Sequence, residues 1–285
     1  MTDYRYILAD VFTDRAFGGN PLAVFPDAGG LTGAQMAVLT KELNLSESTF
    51  VTPGSAPGRF AVRIFTPGGE LSFAGHPIVG TAVVLAELGR TGGATEIVLE
   101  VGVGPVRVVL QGAGATFFRD GEPERRPLDV ADADIAALVG VDALAGAPWQ
   151  AGYGTSYVLV PLADRDAVAR AETRLDHWRK LAPRLWGHAL YVFAVTGPGT
   201  VHARMFAPSL GVAEDPATGS AAAALIGSLP GPADGTAHLA ITQGVEMGRP
   251  STILCSATRQ AGVVQQISIG GGAIVVGEGR FSRLP

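Results

Sequence analysis

His76-Pro77-Ile78-Val79-Gly80-Thr81-Ala82-Val83-Val84-Leu85-Ala86-Glu87-Leu88, closed by Gly89, reads as a helix that is apolar almost all round. Asp215-Pro216-Ala217-Thr218-Gly219-Ser220, followed by alanines at 221–224, Leu225 and Ile226, has the same character. A helix with no polar face has to be enclosed, and in a chain built mostly of short strands the available enclosure is a curved sheet. The expected fold is therefore α+β, with each of these helices running through the middle of a sheet or barrel.

The two stretches belong to an internal repeat. Arg63-Ile64-Phe65-Thr66-Pro67 matches Arg204-Met205-Phe206-Ala207-Pro208 at an offset of 141, and His76 to Ala82 matches Asp215 to Ala221 at an offset of 139. Two residues of loop length separate the copies. Chance similarity of short Gly- and Pro-containing strings is the alternative, and the shared order and polarity of both matches oppose it. Two pseudo-symmetric domains follow: the first spans 1–115 plus a C-terminal strand at about 273–285, and the second spans 116–272.

The rest of the chain fits this frame. Residues 59–65, 97–101, 106–110, 157–160, 190–195, 201–206 and 273–276 are short, rich in β-branched and aromatic residues and bounded by turn residues, so they read as strands. Leu31-Thr32-Gly33-Ala34-Gln35 carries a Thr three residues before a Gln, which is a capping box, and Met36, Leu39 and Leu43 then share a face. The acidic groups at 131–134 and 164–166 read as solvated helix starts. With 47% hydrophobic residues, 16% charged residues and a net charge of −5, the composition is that of a folded chain and excludes disorder. The 21 basic residues are scattered rather than gathered in a stripe, which argues against nucleic acid as a partner. Asp3, Arg5 and Asp10 interrupt the apolar run that a signal peptide needs, and no later run has the length of a membrane span. A soluble, cytoplasmic protein with no membrane contact is expected. Cys255 is the one cysteine, so neither a disulfide nor a pair of catalytic thiols can form within the chain; it reads as a small buried apolar residue.

Chemistry is expected where the copies differ. Pro77 and Pro216 suit a first helical turn, which would make His76 and Asp215 the N-caps of their helices. Asp is a favoured cap and His is not. A His at the positive end of a helix is biased toward the neutral imidazole, which donates and accepts at once. The starts Gly75-His76 and Gly219-Ser220 leave backbone N–H groups to bind a carboxylate. If the domains face each other, both helix ends point into one cleft, the default place for a ligand. Glu47 is the third candidate. Leu45, Phe50 and Val51 around it give an apolar setting suited to a carboxyl that takes and returns a proton. From spacing alone, a solvated strand-edge glutamate is the simpler reading.

NLSESTFV (44–51), RIFTPGGELSFAGHP (63–77), RMFAPSLGVAEDPATGSAA (204–222), QGVEMGRPS (243–251) and FGGNPLAVF (17–25) together resemble the PhzF family of phenazine-biosynthesis isomerases and their relatives. The motifs run from near residue 10 to near residue 280 in the family's order. The resemblance implies the diaminopimelate-epimerase-like fold, a pseudo-twofold pair of domains with the active site between them, and a homodimer. It also implies cofactor-independent isomerisation of trans-2,3-dihydro-3-hydroxyanthranilate or a close relative, a small cyclic amino acid-like substrate. In that reading Glu47 relays the proton, and His76 and Asp215 flank the substrate's amino and hydroxyl groups. Ser46, Gly75, Gly219 and Ser220 supply hydrogen bonds, some of them to the substrate carboxylate. The epimerases and proline racemases of this superfamily place a cysteine at the start of each central helix. Here His76 and Asp215 stand there, so cysteine-based racemisation is disfavoured.

Other signals are weak. GxGxxG, GxxxxGK[ST], HExxH and GxSxG are all missing from the sequence, so neither cofactor nor metal is expected. His177, His188, His202 and His238 have no metal-ligand spacing and read as structural or exposed. Two alternatives remain: an isomerase or epimerase of another amino acid-like metabolite, and a binding protein that keeps the fold without turnover. Glu47 within an intact SESTFV segment favours an enzyme.

Overall fold

The structure is a computed structural model that describes residues 4–285, so Asp3 lies outside the described residues. The chain forms two compact units. One runs to Phe118 and takes back Gly270–Pro285; the other is Arg119–Ile269.

In the first unit the order is β1 (Tyr4–Val11), β2 (Asn20–Phe25), α1 (Gly33–Leu43), β3 (Glu47–Pro53), β4 (Arg59–Thr66), β5 (Gly69–Leu71), α2 (Gly75–Glu87), β6 (Glu96–Val101), β7 (Gly104–Gln111) and β8 (Gly114–Asp120), which carries the chain into the second unit. The second unit continues with β9 (Glu124–Arg126), α3 (Asp132–Leu138), β10 (Trp149–Tyr153), β11 (Thr155–Pro161), α4 (Arg165–Arg170), α5 (Leu175–Leu181), β12 (Ala189–Gly197) and β13 (Thr200–Ala207). It closes with β14 (Val212–Asp215), α6 (Gly219–Ser228), β15 (Gly235–Gln243), β16 (Ser251–Gln260) and β17 (Val263–Phe281), which returns to the first unit.

Strand pairing repeats from one unit to the other. β1–β2 is antiparallel, β2–β3 parallel, β3–β4 and β4–β5 antiparallel, β4–β6 parallel and β6–β7 antiparallel. β10–β11, β11–β12, β12–β13, β13–β14, β13–β15 and β15–β16 follow the same sequence of directions. The strand and central-helix repeat read from sequence is thus a repeat of topology.

Both central helices are enclosed. Residues 75–85 of α2 are all buried, and so are Gly219 and 221–228 of α6. Close approach accounts for Gly80: a Cβ there would come within 2.6 Å of side-chain methyls of both Leu22 and Val11, which would have to shift, so α2 lies tightly against β1 and β2. On the other face of the first sheet, α1 covers Phe25, Phe50 and Phe65. Its capping box forms as expected, with Gln35 N–H donating to Thr32 Oγ1 and Thr32 N–H donating to Gln35 Oε1. The helix stops at Asn44 in the left-handed conformation.

In the second unit α3, α4 and α5 cover β11 and β12 with a cluster centred on Ile135, Leu138, Val168 and Trp178. The acidic groups at 131–134 and 164–166 do start helices, and Asp164 caps α4 through Ala167 N–H at 2.8 Å. The seven residues of α5 are too few to show a period in the sequence. The strand expected at 273–276 is part of the 19-residue β17, whose 273–281 portion pairs with β1 over the whole of β1.

Neither His76 nor Asp215 is an N-cap. α2 starts at Gly75, so His76 lies inside its first turn, and the cap position is Ala74, which has no side chain to offer. Asp215 ends β14, and Thr218 is the residue before α6. Pro77 is therefore the third helical residue rather than the first, and Pro216 lies outside the helix altogether.

Candidate functional site

Glu47 opens β3 opposite Leu22 of β2, and side chains along β3 alternate between the two faces of the sheet. Thr49 points inward, where its Oγ1 lies 2.8 Å from Thr81 Oγ1 on α2. Phe50 points outward into the aromatic cluster under α1. Glu47 shares the Thr49 face. Phe50, expected to form part of the apolar setting of Glu47, is therefore on the opposite side of the strand. What Glu47 meets is the first turn of α2: His76 Nε2 lies 3.5 Å from Glu47 Oε2.

His76 is only 5% exposed, and its Nε2 makes no hydrogen bond. Burial pushes its pKa down to about 3, so the ring is neutral at any physiological pH. Next to this pair, Ser46 Oγ donates to Oδ1 of the buried Asn20 at 3.0 Å. Gly75 begins α2 with no side-chain cap, so the first amides of the helix are not satisfied by a capping group. One unit thus brings Glu47, His76, Ser46 and Gly75 to the same end of α2.

The second unit has a different arrangement. Thr218 Oγ1 donates to Asp215 Oδ2 at 2.5 Å, so the hydroxyl in the cap position serves Asp215 and not the helix. Ser220 Oγ lies 2.6 Å from Tyr157 OH. Gly219 begins α6, again without a side-chain cap. Asp215, Gly219 and Ser220 therefore gather at the N-terminal end of α6. The sequence reading did not single out Thr218, Tyr157, Asn20 or Gln243, although Asn20, Thr218 and Gln243 all lie in motifs quoted above.

Strand register shows which residues correspond. Ser48 faces Phe65 across β3–β4, and Leu190 faces Phe206 across β12–β13. Phe65 and Phe206 are repeat equivalents, so Ser48 corresponds to Leu190 and Glu47 to Ala189. The parallel pairs agree, since Leu22 faces Glu47 and Tyr157 faces Ala189. The strand carboxylate is present in one copy and absent from the other.

Elsewhere, Cys255 is buried with its Sγ 3.5 Å from Leu239 O, and burial pushes its thiol up to about 12, so it is no nucleophile. His202 is buried with Nε2 2.7 Å from Glu246 Oε1, whereas His188 and His238 are exposed. Among the described residues there is no group of three His, Cys, Asp or Glu side chains placed to hold a metal ion, and no helix is long and apolar enough to cross a membrane.

The family model described as phenazine biosynthesis-like protein (PhzC-PhzF) matches residues 9–279. The chain belongs to the PhzF family. It is 39% identical to an uncharacterised isomerase of Mesorhizobium japonicum, with 99% of each chain covered. It is 34% identical to the trans-2,3-dihydro-3-hydroxyanthranilate isomerase of Pseudomonas fluorescens, covering 97% of this chain and 98% of that one. Among solved structures, a phenazine biosynthesis protein of the PhzF family from Bacillus anthracis superposes with a TM-score of 0.87 at 22% identity, covering 99% of this chain and all of the other. The fold is accordingly the α+β, epimerase-like fold of the PhzF proteins, and the chain is an isomerase of that family.

Proposed function

We propose that the protein isomerises trans-2,3-dihydro-3-hydroxyanthranilate, or a small cyclic amino acid of closely similar structure, by moving one proton between ring carbons on Glu47. The carboxylate takes the proton from one carbon and returns it to another, so no redox partner is needed and the enol formed relaxes to a ketone. The observation that carries this reading is the pairing of Glu47 with a buried, neutral His76 at 3.5 Å. A neutral imidazole can steady either state of the carboxyl, donating to the carboxylate or accepting from the acid, without adding a charge. Asp215 accepts from a donor group of the substrate, and the amides at Gly75 and Gly219 serve its carboxylate. The relatives named for this isomerisation support the substrate class.

Glu47→Gln tests the relay. Gln keeps the shape and hydrogen bonding but cannot carry the proton, so melting temperature should hold while turnover falls by at least ~10² to 10⁴. In D₂O the wild type should place deuterium at the newly protonated carbon. A Gln variant that turns over at the wild-type rate would remove Glu47 from the mechanism and leave His76 as the base to test.

A further inference from the structure

The repeat equivalents of residues 75–79 are 214–218, yet only the first set is helical, since α6 starts at Gly219, the counterpart of Gly80. Backbone groups left outside the helix need other partners. Gln243 supplies two of them. This side chain is fully buried, and the register of β15 on β13 makes it the counterpart of Val101 at the end of β6. Its Nε2 donates to Asp215 O at 2.8 Å and to Thr218 Oγ1 at 3.0 Å. Its Oε1 accepts from Thr218 N–H at 3.3 Å and from Tyr191 OH at 3.2 Å. The neighbouring turn holds the same segment: Ser251 Oγ donates to Pro216 O at 2.8 Å, and Gly244, at φ +75°, lies so close that a Cβ would be 2.5 Å from Pro216 O.

The chemistry of these contacts fixes a direction. A backbone N–H can only donate and a backbone C=O can only accept, so Thr218 N–H and Asp215 O between them settle which end of the Gln243 amide is oxygen and which is nitrogen. Nε2 must then donate to Thr218 Oγ1. A hydroxyl has one proton, and with its acceptor side turned to Nε2 that proton goes to Asp215 Oδ2. We propose that Gln243 is a positioning residue that, through Thr218, holds Asp215 as the accepting end of a one-way hydrogen-bond chain. This rests on the reading of Asp215 as a substrate-binding group, but the chain itself exists without substrate. In the first unit Val101 can build no such chain, and the helical first turn makes it unnecessary there.

The test uses the full-length protein and three variants. Thr218→Val removes the hydroxyl at constant shape, Thr218→Ser keeps it, and Gln243→Glu converts the amide to a group that, when ionised, only accepts. The ¹³C resonance of the Asp215 side-chain carboxyl, assigned by its loss in Asp215→Asn, is read without ligand. It should move in Thr218→Val and Gln243→Glu and stay near its wild-type position in Thr218→Ser. An unmoved resonance in Thr218→Val or Gln243→Glu, in protein whose circular dichroism is that of wild type, overturns the proposal. Turnover of trans-2,3-dihydro-3-hydroxyanthranilate is the second readout. Because a hydrogen bond to a charged group is lost, kcat/KM should fall about 10- to 100-fold in Thr218→Val and recover to within about threefold in Thr218→Ser. Wild-type protein that leaves this compound unchanged would count against the substrate reading, whereas the carboxyl resonance decides the positioning role in either case.

Discussion

The two ends of the central helices are built on one plan and used differently. In the first unit the strand beside the helix supplies a carboxylate, Glu47, and the helix supplies a neutral ring, His76. In the second the same strand position is Ala189 and the carboxylate, Asp215, comes from the segment before the helix. The arginine pairs diverge as well. Arg63 stacks over Phe65 and binds Glu70 at the surface, with its side chain 44% exposed. Arg204 stacks over Phe206 and binds Glu214 with only 11% exposure, and its Nη1 also donates to the carbonyls of Val168, Ala169 and Ala171 at the end of α4. Repetition preserved what encloses a helix: strand directions, small residues and an aromatic under an arginine. The polar residues at the helix ends are where the copies drifted apart.

Four experiments can break or sharpen this contrast. Ala189→Glu places the missing carboxylate in the second copy. Ala189 is buried and faces Tyr157 across β11–β12, so a carboxylate placed there is taken out of water, and chemical denaturation should show a loss of at least ~3 kcal/mol. A stable, soluble variant would mean that the two strand positions are interchangeable. Arg204→Ala should cost about 2 to 3 kcal/mol, since half-buried Glu214 and three carbonyls lose their donor. Arg63→Ala should cost under about 1 kcal/mol, as exposed ion pairs do. Equal losses would show that burial does not separate the two pairs.

His76 gives a pH signature peculiar to the first unit. Its folded pKa of about 3 lies below the unfolded value of about 6.5, so below pH 6.5 the unfolded chain takes up a proton that the folded protein refuses. Stability should be unaffected by this group above pH 6.5 and fall by up to about 1.4 kcal/mol per pH unit below it. His76→Asn should flatten that portion of the curve, and an unchanged slope would assign it to other groups. The smallest effect concerns Cys255. Its buried thiol should resist a soluble disulfide reagent in native protein and react in full once the protein is unfolded, and rapid native labelling would place it at the surface.

Much of the scaffold was legible because its signals are local. Apolar surface on every side of the 76–88 segment demanded enclosure, and the Thr32–Gln35 box located the start of α1. His76 was readable as a chemical outlier in a repeated pattern, whereas spacing alone left Glu47 as a solvated strand-edge residue and the family resemblance singled it out. What failed was anything set by contact across the fold. Phe50 adjoins Glu47 in sequence but sits behind it, because strand side chains alternate. Pro216 suggested a helix start, yet Gln243 and Ser251, 25 or more residues away, hold that segment outside the helix. The Gln243 chain joins three separate stretches, and no spacing rule links them.

The long final strand has a consequence for how the molecule is made. β1 lies between β2 and the 273–281 portion of β17, so one of its edges stays open until residues 273–281 have left the ribosome. The Arg119–Ile269 unit is a continuous stretch of chain and has all its own strands before then. Synthesis from the N-terminus thus leaves the older half of the polypeptide waiting for the younger. During that interval the bare edge of β1 is the place where a nascent chain would meet a chaperone or, failing that, a second nascent chain.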